Sequence, residues 1–398
     1  HAADDLREAM AEIDALIANG MLFFDECARE DASPERRGAV IKAMCLHAAH
    51  DCNMRCAYCF GDEGSFSGSR SLLSEETGRR AIDFLLEHSG GRRNLEIDFF
   101  GGEPLMNFAV VQALVRYGRE REKDCGKYIR FTVTTNGLLL DEEKEGFINE
   151  HMDNVILSID GRPEVNDRVR KTPSGEGTYR RVIGNFERFR ESRRDRYYVR
   201  GTFTAKNKDF SEDVKHLADR GFTRISVEPV VLDGNRDCAL RESDLPELLS
   251  EYDRLTDLYL DRARKGRPFS FFHFDIDLNQ GPCVYKRAAG CGAGTEYIAV
   301  SPEGDIYPCH RFVGERRFKL GNVADEAFEN DLYPMFNRAH IYSKEACAGC
   351  WAKFYCSGGC HANAWHENGD ILKPYALGCA LEKKRLECAI AIRVLRAT

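Results

Sequence analysis

Between residues 43 and 264, short strand-like runs alternate with longer amphipathic runs six times over. The strand-like runs are 43–47, 95–100 (LEIDFF), 129–135 (IRFTVTT), 154–159 (NVILSI), 197–204 (YYVRGTFT) and 223–229 (TRISVEP). Amphipathic stretches lie near 75–88, 107–122, 141–150, 178–193 and 210–220, with a longer one over 243–264. Repeated strand–helix alternation specifies a parallel sheet with crossover helices. Six units are too few for a closed eight-stranded barrel, so the pattern predicts an α/β chain built on a partial (β/α)6 barrel. Ahead of it, residues 4–18 read as a helix with Leu6, Met10, Ile13 and Ile17 on one stripe and Asn19-Gly20 as its stop. Residues 21–42 read as a linker. Past about residue 280 the periodicity fades, and eight cysteines fall between Cys283 and Cys379. A segment of that kind needs metal cross-links to stay ordered. The expected organisation is an N-terminal helix and linker (1–42), the barrel (43–265) and a cysteine-rich domain with a bridging segment (266–398).

In parallel β/α folds the working residues sit on the loops that follow the strands. The first such loop holds Cys52, Cys56 and Cys59 in HDCNMRCAYCF, a C-x3-C-x2-C spacing closed by Phe60. Three thiolates this close can hold three irons of a cubane 4Fe–4S cluster and leave the fourth open to a small molecule. The competing zinc loop fits poorly, because zinc takes four N/S ligands in paired short spacings. After the second strand comes Gly101-Gly102-Glu103-Pro104, after the third Asn136-Gly137, and after the fourth Ser158 with Asp160. Arg170 follows Ser158 by twelve residues, and Glu228-Pro229-Val230 ends the sixth strand. Taken singly, the GG, NG and DG pairs are ordinary turns; their joint order points to a site.

The balance of charge narrows the class. Net charge is -8, and no basic block exceeds a few residues, with Arg193–Arg194 and Lys383–Arg385 reading as solvated helix charges. That excludes the basic face of a nucleic-acid binder. No run reaches membrane-spanning length and no signal-like segment opens the chain. Sixteen cysteines without a leader imply a reducing cytoplasm and metal ligation, not disulfides. The first residue is His1, so the true N-terminus is expected upstream.

The three-cysteine loop, with Tyr58 just before its last cysteine, and the GGE run after the second strand resemble the radical S-adenosylmethionine (SAM) superfamily. The resemblance implies that Cys52, Cys56 and Cys59 hold the catalytic cluster, whose open iron takes the amino nitrogen and carboxylate of SAM. It implies that Gly101, Gly102 and Glu103 face the SAM amino group, Asn136, Ser158 and Asp160 the ribose, Arg170 the carboxylate, and Pro229 and Val230 the adenine. Further on, Cys291-x12-Gly304-x4-Cys309 and Cys347-x2-Cys350-x5-Cys356-x3-Cys360, followed by Cys379, resemble the SPASM domain with its two auxiliary 4Fe–4S clusters. By that pattern Cys283, Cys291, Cys309 and Cys360 hold one auxiliary cluster, and Cys347, Cys350, Cys356 and Cys379 the other. A pair of zinc sites is the alternative. The remaining Cys27, Cys45, Cys125, Cys238 and Cys388 are expected to be small buried hydrophobes.

The segments RRNLEIDFFGGEPLMNF, ISVEPVV, FFHFDIDL, CGAGTEYIAVSPEGDIYPCHRFVGE and CWAKFYCSGGC resemble the SCIFF-peptide maturases, which form thioether cross-links in a small cysteine-rich ribosomal peptide. That family carries a leader-peptide recognition domain ahead of the helix at 4–18. Anaerobic sulfatase maturases are also similar but place an aspartate base after the cysteine matching Cys309, where this chain has His310. The implied partners are a cysteine-rich precursor peptide and an electron donor such as flavodoxin or ferredoxin, with no nucleic acid and no membrane. RNA modification and a non-enzymatic electron carrier are the rival classes, weakened by the acidic balance and by the SAM-like constellation. If a substrate thiol binds an auxiliary-cluster iron, one protein ligand must be dispensable, and Cys283, alone at the domain junction, is the expected one.

Eleven cysteines in groups of three, four and four predict about 12 irons per chain after anaerobic reconstitution. Replacing Cys52, Cys56 and Cys59 with alanine should remove about a third of the iron and all SAM cleavage. Iron for a single cluster, or zinc in its place, would contradict the assignment.

Overall fold

The computed structural model describes residues 3–19, 40–193, 195–232, 234–276, 284–328 and 330–397. The expected linker at 21–42, apart from its last residues, and Cys27 and Cys283 lie outside them.

The described strands are β1 (Ala43–Ala49), β2 (Arg55–Cys56), β3 (Asn94–Gly101), β4 (Tyr128–Thr135), β5 (Asn154–Ser158), β6 (Arg170–Lys171), β7 (Tyr197–Phe203), β8 (Arg224–Pro229), β9 (Ser270–Phe271), β10 (Tyr297–Val300), β11 (Asp305–Tyr307) and β12 (Gly321–Asn322). All but β2 and β6 form one sheet in the order β12-β11-β10-β1-β3-β4-β5-β7-β8-β9. From β10 through β9 every neighbouring pair is parallel, while β11 and β12 are antiparallel additions. β12 and β9 stand at opposite ends of that order, so the sheet is open. The six expected β–α units are all present, and the fold is the partial α/β barrel that the alternation predicts. Helices Glu75–Glu87 and Glu142–His151 start at Ser74 and Asp141, whose side chains accept from Thr77 and Lys144 backbone N–H groups.

Parallel sheets covered on both faces read as continuous apolar runs. These strands alternate instead. Leu95, Ile97, Phe99, Ile129, Phe131, Val133, Val155, Leu157, Ile225 and Val227 are all fully buried in the main hydrophobic core. The opposite face carries Asp98, Thr132, Thr134, Ser158, Arg200, Thr202 and Glu228. One face is therefore core, and the other is a polar wall left open for chemistry.

The sheet does not stop at the barrel. β10, from the cysteine-rich segment, pairs with β1 in the register Ala43↔Tyr297 to Leu46↔Val300. Beside that seam, Lys42 and Arg92 both pair with Glu296.

The cysteine-rich segment also holds more helix than its faded periodicity predicts, ending in a 22-residue helix, Ala376–Ala397. This helix packs on Leu245–Arg264, and the reading of Lys383–Arg385 as solvated charge fails there. Arg385 is buried; its Nε donates to Tyr252 Oη at 2.8 Å, and Nη1 reaches Glu382. Arg193 is likewise buried, donating to the carbonyls of Ile148 and Met152. Arg193 satisfies carbonyls that the end of helix Glu142–His151 leaves over, whereas Arg385 pairs with side chains of the two packed helices. Cys45, Cys238 and Cys388 are buried as expected, but Cys125 is exposed, because the last turn of its helix points the thiol outward.

Burial raises the Glu228 carboxyl, but His273 and Arg385 outweigh it and hold the group well below its ordinary 4.5. A depressed carboxylate contributes stability that is present above its ordinary value and lost as pH falls. Arg385→Met should destabilise the protein by about 1–3 kcal/mol at neutral pH, leaving Tyr252 Oη unpaired. The deficit should narrow in acid as Glu228 is protonated; urea unfolding at several pH values measures both.

Candidate active site

The loop after β1 carries Cys52, Cys56 and Cys59, and two devices set its shape. A short antiparallel ladder pairs β2 with β6, placing Cys56 opposite Arg170 and Arg55 opposite Lys171. Beside the ladder, Tyr58 Oη donates to both oxygens of Asp160 at 2.9 and 2.8 Å, and accepts from Arg170 Nη1 at 2.8 Å. Arg170 and Asp160 also meet as an ion pair at 3.8 Å, with both side chains buried. Asp160 further accepts from Thr202 N–H at 3.0 Å, tying the loop to β7.

The Gly101-Gly102-Glu103 turn closes against the same loop. Gly102 and Glu103 N–H donate to the carbonyls of Ala49 and Asp51 at 2.8 and 2.9 Å. A Cβ on Gly101 would stand 2.3 Å from Ala49 O, and one on Gly102 2.1 Å from Asp51 O, so this approach requires glycine. Glu103 is fully buried, and its oxygens accept from Leu105 N–H, Thr135 Oγ1 and Asn136 N–H at 2.8–3.0 Å. Burial lifts its carboxyl to about 6 in spite of those donors. Asn136 Nδ2 lies 2.8 Å from Asn53 Oδ1 and 3.6 Å from Cys52 Sγ, and its Oδ1 accepts from Leu138 N–H. Glu103 and Asn136 thus hold the cysteine loop and the turn together, with their polar atoms already engaged.

A cavity of about 250 Å³ opens above these groups. Its wall contains every barrel residue predicted for the site except Glu103 and Asp160: Cys52, Cys56, Tyr58, Cys59, Gly101, Gly102, Asn136, Ser158, Arg170, Pro229 and Val230. Glu103 and Asp160 lie just behind it, joined to Asn136 and Tyr58. The wall also includes Glu228, which the sequence placed at the end of the sixth strand, and groups that motif reading missed: Phe100, Thr134, Arg200 and Thr202. Their signal was the strand alternation, since each lies on the polar face and adjacent strands set Ser158 opposite Arg200 and Thr202 opposite Glu228. His310 and Arg311 close the cavity from the cysteine-rich segment. His310 Nδ1 lies 3.0 Å from Tyr297 Oη, and burial pushes its imidazole down to about 3. Arg311 covers the exposed Phe60 ring at 5.3 Å.

The donor sets suit polynuclear iron–sulfur groups. Burial pushes the Cys52 thiol up to about 12 and Cys56 to about 11, so ligation there requires the proton release that metal binding drives. In the C-terminal segment Cys347, Cys350, Cys356 and Cys379 all line one cavity of about 390 Å³. Cys291, Cys309 and Cys360 form a second group close enough to act on one another electrostatically; Cys283 lies outside the described residues. Among the described residues no three His, Cys, Asp or Glu side chains converge as they would on a single metal ion. Thiols spread around a cavity are what a cubane needs and a lone zinc ion does not.

Comparison with known proteins agrees with this geometry. Residues 38–183 match a 4Fe-4S single cluster domain, and residues 291–351 match SPASM, an iron-sulfur cluster-binding domain. A cysteine-type anaerobic sulfatase-maturating enzyme of Clostridium perfringens is 25% identical over 333 residues, covering 79% of this chain and 86% of that protein. The antilisterial bacteriocin subtilosin biosynthesis protein AlbA of Bacillus subtilis is 25% identical over 359 residues, covering 82% and 69%. The solved structure of native anSMEcpe with bound AdoMet and Cp18Cys peptide superposes with a TM-score of 0.73 at 22% identity, covering 89% of this chain and 98% of that one. The fold is that of radical SAM enzymes with a SPASM domain.

Removing the charge of Asp160 would leave Arg170 buried without its carboxylate, whereas removing Tyr58 Oη leaves the ion pair intact. Asp160→Asn should therefore cost about 3–5 kcal/mol and Tyr58→Phe about 1–2 kcal/mol in urea unfolding of the metal-free protein. Equal losses would show that the hydroxyl, not the ion pair, holds the loop.

Proposed function

From its fold and its two matched segments as a radical SAM protein with a SPASM domain, we propose that the chain is a peptide maturase that joins a cysteine sulfur to a carbon of an acceptor residue in a small cysteine-rich precursor peptide. The observation that carries this reading is the shared cavity: the three-cysteine loop and the His310–Arg311 turn of the SPASM segment face one space of about 250 Å³. A residue held there lies within reach of both halves of the chain.

When bound, a reduced 4Fe–4S cluster with SAM supplies a 5′-deoxyadenosyl radical. The chain's own residues hold and shield. Tyr58, Asp160 and Arg170 fix the cysteine loop, and Ser158 and the Gly101-Gly102 turn offer polar groups on the side expected to receive SAM. Arg200, Thr202 and Glu228 provide charged and polar anchors deeper in the wall, where a peptide's amides and side chains would bind. Phe60 and Phe100, stacked at 6.4 Å, give the cavity wall an apolar stretch. In the overall change one C–H and one S–H bond are replaced by a C–S bond. The hydrogen atom goes to 5′-deoxyadenosine, the thiol proton to solvent or a base, and one electron must leave. The two C-terminal cysteine groups are suited to hold the iron–sulfur acceptors for that electron, giving three clusters in all. An external donor such as flavodoxin or ferredoxin would supply the starting electron. The cytoplasm, where sixteen cysteines stay reduced, is the fitting compartment. Among the described residues no helix is long and apolar enough to cross a membrane.

A sulfatase-maturase type of oxidation is the second reading, favoured by the C. perfringens relative. His310 in place of the aspartate expected of that class weighs against it. Deuterium on the acceptor carbon should appear in 5′-deoxyadenosine, and the peptide should lose two hydrogens per cross-link and resist thiol alkylation at the joined cysteine. A product oxidised without a cross-link, its two segments separable after proteolysis, would favour the second reading.

A further inference from the structure

Lys344 stands apart from the groups used so far. Its side chain is fully buried, and among the described residues no carboxylate pairs with it. Its Nζ donates to the carbonyl of Gly358 at 2.7 Å. Gly358 lies inside the Cys356-Ser-Gly-Gly-Cys360 turn, whose outer residues belong to different cysteine groups. Ser357, Gly358 and Gly359 all adopt positive φ (58, 86 and 74°), and this left-handed run presents the Gly358 carbonyl to the ammonium. Burial works against the Lys344 charge, and the groups near enough to offset it are the sulfurs of both cysteine groups once deprotonated: Cys347 and Cys356 from one, Cys360 and Cys291 from the other. Cys379, on the C-terminal helix, feels the same charge.

A buried ammonium with one neutral acceptor is expensive to bury. Four-thiolate cubanes are net anions that become more negative on reduction, so a cation fixed between two of them would be neutralised by them and would favour their reduced forms. We propose that Lys344 is the shared counter-ion of the two C-terminal iron–sulfur clusters and raises the reduction potential at which they accept an electron. Lys344 is a positioning residue in this role, acting through the cluster thiolates without touching substrate. The proposal rests on the reading that both cysteine groups hold clusters.

The test uses the full chain carrying Cys52→Ala, Cys56→Ala and Cys59→Ala, so that only the C-terminal clusters report. Iron content of this parent comes first: no iron would bring down the cluster reading itself, independently of Lys344. With iron bound, Lys344→Met should shift the oxidised-to-reduced equilibrium of at least one cluster about tenfold toward oxidised in an EPR-monitored titration, which is about 59 mV for one electron. Lys344→Arg should stay close to the parent. Unchanged potentials in Lys344→Met at full iron load, or an equal shift in Lys344→Arg, would overturn the proposal. Thermal unfolding of the metal-free proteins gives a second readout if the Met variant takes up iron poorly. Metal-free Lys344→Met should unfold at or above the parent's temperature, since it no longer buries an uncompensated charge. A clearly lower temperature would mark Lys344 as a purely structural residue and refute the counter-ion role.

Discussion

The buried guanidinium of Arg170, held between Tyr58 and Asp160, ties together three separate stretches of chain: the cysteine loop, the end of β5 and the β6 ladder. The loop CNMRCAYC buries Met54 in the core, but its three cysteines face the cavity, so burial of one side chain does not by itself set its shape. Here its order is borrowed. The ladder fixes its backbone, the phenol fixes its tip, and the Gly101-Gly102 turn closes the remaining side with two backbone hydrogen bonds. Asp160 and the glycine turn come from the ends of β5 and β3, so much of the loop's geometry follows from that of the sheet.

Alternating strands explain why the site is where it is. Residues such as Leu95, Ile97 and Phe99 anchor the sheet against its helices, which frees Asp98, Thr134 and their counterparts on other strands from the main core. The sheet can then be stable with one wet face, and that face becomes the wall of the cavity.

Much of this was legible in the sequence, for physical reasons that also mark where legibility ends. The six barrel strands fall within two residues of the expected runs because local alternation encodes them. The cysteine groups came from the resemblance to the SPASM domain, and Cys347, Cys350, Cys356 and Cys379 line one cavity. Hydrogen-bond partners were not legible. Glu103 and Asn136 read as ligand contacts, yet their polar atoms are engaged by Thr135, Leu105 and Asn53, partners that only the tertiary structure specifies. Arg385 read as a surface charge because nothing nearby in sequence announces Tyr252, 133 positions away. The pairing of β10 with β1 escaped notice for the same reason: strands so short carry no mark of a partner some 250 residues earlier.

That last pairing bears on how the protein is made. β1 is among the first strands to leave the ribosome, yet one of its edges is capped only by β10, near residue 300. Until then a nascent chain with five further barrel strands in hand presents an apolar, unpaired edge of AMCL, the kind of edge that invites pairing with a neighbouring chain. The segment that seals the barrel is also the one that matches an iron-sulfur cluster-binding domain, so whatever orders that segment also secures the cover of the first strand.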